Sequence, residues 1–214
     1  MNEAIRHDLI DISKDKMFKN DPSHDINHML RVLSLSEKIA KAENADLDII
    51  IPAAIFHDVI CYPKNHNNRA RSSVDSAKFA RKVLNRTDGF PKDKINRVYD
   101  SIESCSFSKG IVPNFLEAKI LQDADGLEAT GAIAIMRTFS SAGVMNMDFY
   151  NIADPFCKSR EPNSLQYALD LFFIRLLVIH KKLHSKTAIR IAKRRMKFLR
   201  TFLNELKLEL SESL

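Results

Sequence analysis

Only five glycines and seven prolines punctuate these 214 residues, which leaves long uninterrupted stretches and argues against a loop-rich β architecture. The stretches between them carry apolar residues at helical intervals. Residues 3–19 place Ile5, Leu9, Ile10, Ile12 and Met17 on one face. Asp21-Pro22-Ser23 interrupts that pattern and supplies capping chemistry for a second helix over 24–42. Residues 46–58 are dense in apolar groups, as in a central helix buried on most sides, with Pro52 tolerated in its first turns. Helical patterns continue over 73–86, 92–105, 116–139, 164–183 and 186–210, with loops over 61–71 and 106–114 and an irregular stretch over 140–163. The expected fold class is all-α. No repeat, low-complexity tract or boundary divides the chain, so one domain over 1–214 is expected, with its core over about 20–205.

Hydrophobic residues at 45% and charged residues at 28% describe a globular chain rather than a disordered one. The formal charge of +6 is concentrated in Lys181-Lys182, Arg190 and Lys193-Arg194-Arg195. A solvated amphipathic helix explains that cluster. Nucleic acid is not an expected partner, because no aromatic stacking platform is interleaved with the charges. Cys61, Cys105 and Cys157 are odd in number and widely spaced, which suits a reducing cytoplasm rather than a disulfide framework. The N-terminus has no signal-peptide core, and the apolar runs fall short of the roughly 20 residues a membrane span needs. The expected location is therefore cytoplasmic.

The chemistry gathers at Ala53-Ala54-Ile55-Phe56-His57-Asp58, an apolar run ending in an imidazole and a carboxylate. Upstream lies His24-Asp25-Ile26-Asn27-His28, and downstream Gln122-Asp123-Ala124-Asp125. One His, a His-Asp pair and a later Asp on three separate helices would form a two-nitrogen, two-oxygen site for a divalent metal that activates water. Asp25 and Arg31 flank His28 by three residues on each side and share its helix face. A carboxylate at that spacing can hold the other ring nitrogen of a ligand His. His57 and Asp58, about 100° apart on a regular helix, reach one ion only if the helix ends there. Acidic groups inside Ile120–Asp125 are costly unless paired or metal-bound.

These residues, with Asp25-x-x-His28-x-x-Arg31-Val32, resemble the HD-domain metal-dependent phosphohydrolases. Tyr62-Pro63-Lys64-Asn65, Ser106-Phe107-Ser108, Glu117-Ala118-Lys119, Gln122–Asp125, Gly131-Ala132-Ile133, Arg137-Thr138-Phe139 and Tyr167–Asp170 extend the likeness to the bacterial nucleotide pyrophosphohydrolase subgroup. The resemblance implies an all-helical HD fold, one divalent ion (Mn, Mg, Fe, Ni, Co or Zn) and hydrolysis of a small nucleotide. In that subgroup the reaction cuts a nucleoside triphosphate to monophosphate and pyrophosphate. It also implies His28, His57, Asp58 and Asp125 as metal ligands, with Asp58 steering the attacking water as well. Asp25 and Asp123 would then stand behind the ligands. Arg31, Lys64, Arg69 and Arg71 are candidates for holding phosphate. Three positions depart from the subgroup: Cys105 where a His is usual, Gly126 where an Arg follows the ligand Asp, and Leu171 where a His follows Asp170. Three alternatives stay open: a non-catalytic nucleotide- or metal-binding protein, a hydrolase of nucleoside monophosphates or cyclic nucleotides, and, as the minority reading, nucleic-acid binding through the basic C-terminal helix. His180 and His184 have metal-pair spacing but a basic setting, and the long C-terminal helices offer a homodimer surface.

Overall fold

The computed structural model describes residues 1–17, 25–62 and 66–213, and among these it is helical with no strand. The backbone forms two compact units, Met1–Asp125 and Gly126–Leu214.

In the first unit, α1 (Glu3–Lys16) begins where the Asn2 side chain accepts the Ala4 N–H. Helix α2 (Ile26–Glu43) begins at Asp25 and ends on Asn44, whose φ of 57° is the left-handed conformation that asparagine tolerates. Helix α3 (Leu47–Phe56) is capped by Asp46 and buries every residue from Ile49 to Phe56. That all-round burial explains why its sequence lacks a polar face. α3 packs against α1, α2, α4 (Ser72–Arg86) and α5 (Ile95–Glu103). Ser13 of α1 donates to the Ile55 carbonyl at 3.1 Å, tying α1 to the end of α3. Helix α6 (Leu116–Leu127) carries the acidic pair Asp123 and Asp125.

The single helix expected over 116–139 is divided. α6 stops at Leu127, and α7 (Gly131–Val144) starts at a glycine with φ of +72°. An L side chain is strained at that φ. A Cβ on Gly131 would also lie 3.1 Å from the Arg195 stem. Arg195 crosses this gap to donate to the Leu127 carbonyl at 2.8 Å, placing a cation on the last turn of α6.

The helix expected over 164–183 does not form either. Ala168 and Leu169 give their N–H groups to the carbonyls of Asp148 and Phe149, so their hydrogen bonds leave the local chain. A wide turn at Phe172–Leu176 and a tight one at Ile179–Lys182 follow. Regular helix resumes only in α8 (Lys186–Ser213), where the Ser185 hydroxyl accepts the Ala188 N–H. The core of this unit joins Ala134 of α7, Leu169, Phe172 and Leu176 of the turns, and Met196 and Leu199 of α8. No described helix is long and apolar enough to cross a membrane.

Candidate metal centre

Three local devices aim the side chains. On α2, the Asp25 carboxylate accepts the backbone N–H of His28 at 2.8 Å and takes the Asn27 amide at 3.0 Å. Asp25 therefore caps the helix. This backbone role follows because the first residues of a helix have N–H groups with no helical partner. On α3, His57 stands immediately after the last helical residue, and its Nδ1 lies 2.8 Å from the Ala54 carbonyl. Nδ1 must donate there, which leaves the Nε2 lone pair to face the site. The helix has ended by Asp58, as the adjacent ligands require.

The turn that follows is fastened to α4 by two serines. Ser76 accepts the Ile60 N–H at 3.0 Å and donates to the Ile60 carbonyl at 3.1 Å. Ser72 accepts the Tyr62 N–H at 3.2 Å. Sequence reasoning missed both serines, whose only signal is their spacing of four on a helix beside a polar loop. Gln122 was similarly passed over. It donates to the Ser104 and Ile111 carbonyls at 3.0 Å each and so closes the two ends of the loop after α5.

The atoms so placed converge. His28 and His57 are buried, and their Nε2 atoms are 3.2 Å apart. Asp58 Oδ2 lies 3.6 Å from each of those nitrogens, and Asp125 Oδ1 lies 3.6 Å from His28 Nε2. Ligand atoms of His28, His57 and Asp125 all fall within 4.8 Å of one another. Ligands about 2.1 Å from one ion stand roughly 3.0 to 3.4 Å apart, for right-angle to tetrahedral arrangements. The imidazole pair at 3.2 Å falls in that range, the 3.6 Å carboxylate contacts lie just outside it, and Asp58 is not among the three residues gathered within 4.8 Å. Two imidazole nitrogens and the Asp125 carboxylate gathered in this way, with Asp58 beside both imidazoles, make a mixed nitrogen–oxygen set that suits a divalent transition metal. The Asp58 and Asp125 side chains keep 26% and 22% of their surface exposed, so the open side of the cluster faces solvent.

The remaining candidates divide. Asp123 is fully buried and lies outside the converging group. On a regular helix it points about 200° away from Asp125. Cys105 is buried, and burial, reinforced by the nearby Asp125 and Asp58 carboxylates, pushes its thiol pKa well up. That proximity puts a neutral thiol beside the cluster. Arg31 is half-buried one turn beyond His28 on α2. Arg69 and Arg71 occupy an exposed turn before α4, where Arg71 reaches Asp75 at 3.5 Å. Lys64 lies outside the described residues. Asp170, beside the departure at Leu171, pairs bidentately with Arg160. Among the described residues, His180 and His184 belong to no metal-ligating cluster.

Comparison with known proteins agrees with this geometry. The HD domain family pattern matches residues 25–130. The chain is 31% identical over 183 residues to YpgQ of Bacillus subtilis (strain 168), covering 86% of this chain and 82% of that protein. A crystal structure of YpgQ in complex with ADP superposes with a TM-score of 0.72 at 27% identity, covering 95% of this chain and 97% of that one. The Lin1889 protein of Listeria innocua superposes with a TM-score of 0.74 at 29% identity, covering 99% and 98%. A predicted HD superfamily hydrolase from an uncultured Thermotogales bacterium does so at 0.64 and 26%, covering 95% and 91%. With the family's pattern spanning the three helices that carry His28, His57, Asp58 and Asp125, the chain belongs to the HD-domain superfamily of metal-dependent phosphohydrolases.

Proposed function

We propose that this protein hydrolyses small nucleotides at the cluster formed by His28, His57, Asp58 and Asp125, cutting nucleoside triphosphates to monophosphate and pyrophosphate. The observation that carries the reading is the approach of the two imidazole Nε2 atoms to 3.2 Å, with carboxylate oxygens at 3.6 Å. A relative solved with ADP supports a nucleotide as the ligand. When bound, one divalent ion would supply an activated water and neutralise charge on phosphoryl oxygens. His28, His57, Asp58 and Asp125 would hold it, and the donor set leaves Mn, Mg, Fe, Ni, Co and Zn as candidates.

The chain's own groups do the rest. The Ala54 carbonyl keeps His57 in the tautomer that offers Nε2. Asp25 fixes the turn that carries His28. Asp58, with a quarter of its side chain exposed, accepts a hydrogen bond from the attacking water and orients it toward phosphorus. Arg31, Lys64, Arg69 and Arg71 supply the positive charge that a polyphosphate needs, which the glycine after Asp125 does not.

The test is pyrophosphate and phosphate release from a nucleoside triphosphate panel with added Mn, for wild type and Asp125→Ala. Pyrophosphate release that the substitution abolishes supports the reading. Binding without turnover across metals and nucleotides would instead favour a non-catalytic nucleotide-binding role. Turnover of monophosphates or cyclic nucleotides alone would change the substrate class.

A further inference from the structure

The chain's net charge is unevenly distributed. Residues 1–125 hold nineteen Lys and Arg against nineteen Asp and Glu, whereas residues 126–214 hold fourteen against eight. The whole excess of +6 therefore lies in the second unit. Between Asp170 and Glu205 there are ten Lys and Arg and no acidic residue.

Helix α8 orders much of this charge. Lys186, Arg190, Lys193, Lys197, Arg200 and Lys207 follow one another by three, four or seven residues, the spacing of one helix face, and all are exposed. None of the six forms an ion pair among the described residues. The opposite face, with Ala188, Ala192, Met196 and Leu199, is buried, and Met196 and Leu199 belong to the core of the second unit. The result is a basic ridge about 32 Å long, at about 1.5 Å per residue.

We infer that this ridge docks along the phosphate backbone of a double-stranded nucleic acid. A row of unpaired cations on a fixed helix matches a regular row of phosphates and gains affinity by releasing their counterions. The ridge length is close to one turn of a duplex, about 34 Å. Other polyanions fit less well. A helix lying in a lipid interface needs an exposed apolar face, and here that face is packed inward, leaving only Phe198 and Leu208 as large exposed apolar residues of α8. A single strand would want stacked aromatic rings, and Phe198 is the one exposed ring on the helix. Contact with a duplex backbone needs no stacked rings, so the lack of an aromatic platform does not oppose it.

The experiment is fluorescence anisotropy of a labelled 20-base-pair duplex of random sequence, titrated with the full chain at 50, 100 and 200 mM salt. With about five phosphates engaged, affinity is expected to fall about 500-fold across that range, with little sequence preference. The variant Lys193→Glu/Lys197→Glu/Arg200→Glu should bind at least about 30-fold more weakly at 50 mM salt. Lys197→Ala alone should bind about three- to tenfold more weakly and reduce the salt slope by about one. If the triple variant does not fold, Lys197→Ala and Lys193→Ala decide. No binding at 50 mM salt would overturn the proposal, as would affinity that all these variants leave unchanged. It would also be overturned by tighter binding to a single strand of equal length, or to phosphatidylserine vesicles in place of the duplex. Because the ridge shares no residue with the metal cluster, His57→Ala should leave duplex binding intact.

Discussion

Each of the two units gathers charged and polar groups in one place, one closed within the protein and one open to solvent. In the second, the fully buried Asp170 receives Arg160 through both guanidinium Nη atoms, one of them at 2.7 Å, and the Asn163 N–H at 2.6 Å. Arg160 also stacks over Tyr167. Burial alone would raise the Asp170 carboxyl, but bonds from Arg160, Asn163 and the Cys157 thiol outweigh it and hold the pKa below the ordinary value. Every acceptor there has its donor. In the first unit, the His28 and His57 Nε2 atoms lie 3.2 Å apart with Asp58 and Asp125 oxygens 3.6 Å from His28, and both carboxylates keep about a quarter of their surface open to solvent. The compensated constellation holds chain together. The solvent-open one gathers the donor set of a divalent ion, and such ligand sets commonly carry a cost in stability.

The sharpest way to break this contrast is Asp125→Asn, which removes one carboxylate with almost no change of shape. Metal affinity should fall on the order of 100-fold or more and metal-dependent hydrolysis on the order of 10^3-fold. The melting temperature of metal-free protein should stay the same or rise, because the substitution reduces the charge facing Asp58. Isothermal titration with Mn and circular dichroism melts, the latter suited to a chain with no tryptophan, measure both. A marked loss of metal-free stability would show that the cluster is structural.

The mirror experiment is Arg160→Met. It strands Asp170 in the interior, and breaking a buried pair from one side is strongly destabilising. The melting temperature should fall by about 10 °C. Arg160→Met/Asp170→Leu should recover much of that loss. If the double variant is no better than the single, the pair is not acting as a compensated unit.

Acid titration separates the constellations more gently. Asp170 has a depressed folded pKa, so its contribution is fully present above the unfolded value of about 3.9 and is lost as pH falls through the lower folded value. Wild-type stability should therefore not change on this account between pH 7 and 5, and should decline below about pH 4. Asp170→Asn should be less stable at neutral pH and show a shallower acid limb in denaturant melts across pH. An unchanged acid limb would remove Asp170 from the account of acid stability.

The contrast also explains what the sequence could show. His57-Asp58 is legible because it ends an apolar run, and α3 is legible because its residues are apolar all round. Asp125 stands out for the same reason, as a charge in an apolar helix. The break before Gly131 was not legible, because it depends on the Arg195 stem arriving from far along the chain. The missing helix over 164–183 was hidden similarly. Its residues have helical spacing, but Asp170 is bonded to Arg160 and Asn163, and the N–H groups of Ala168 and Leu169 go to 148–149. Periodicity reads local preference, and tertiary hydrogen bonds override it. Asp25 shows a third limit: spacing put its carboxylate on the His28 face but did not foresee that it would cap the His28 N–H.

That cap yields the smallest predicted effect and a clean one. Asn caps a helix about as well as Asp, whereas Ala does not. If Asp25 acts through the His28 N–H, Asp25→Asn should keep both stability and Mn affinity. Asp25→Ala should cost about 1 kcal/mol of stability and weaken Mn binding only a few-fold, through a looser first turn of α2. A carboxylate holding the imidazole would behave differently, because its loss lowers the basicity of the ligand as well as its orientation, typically by 10- to 100-fold in metal affinity. A drop of that size in Asp25→Asn, with the melting temperature unchanged, would return Asp25 to the ring and make the cap incidental.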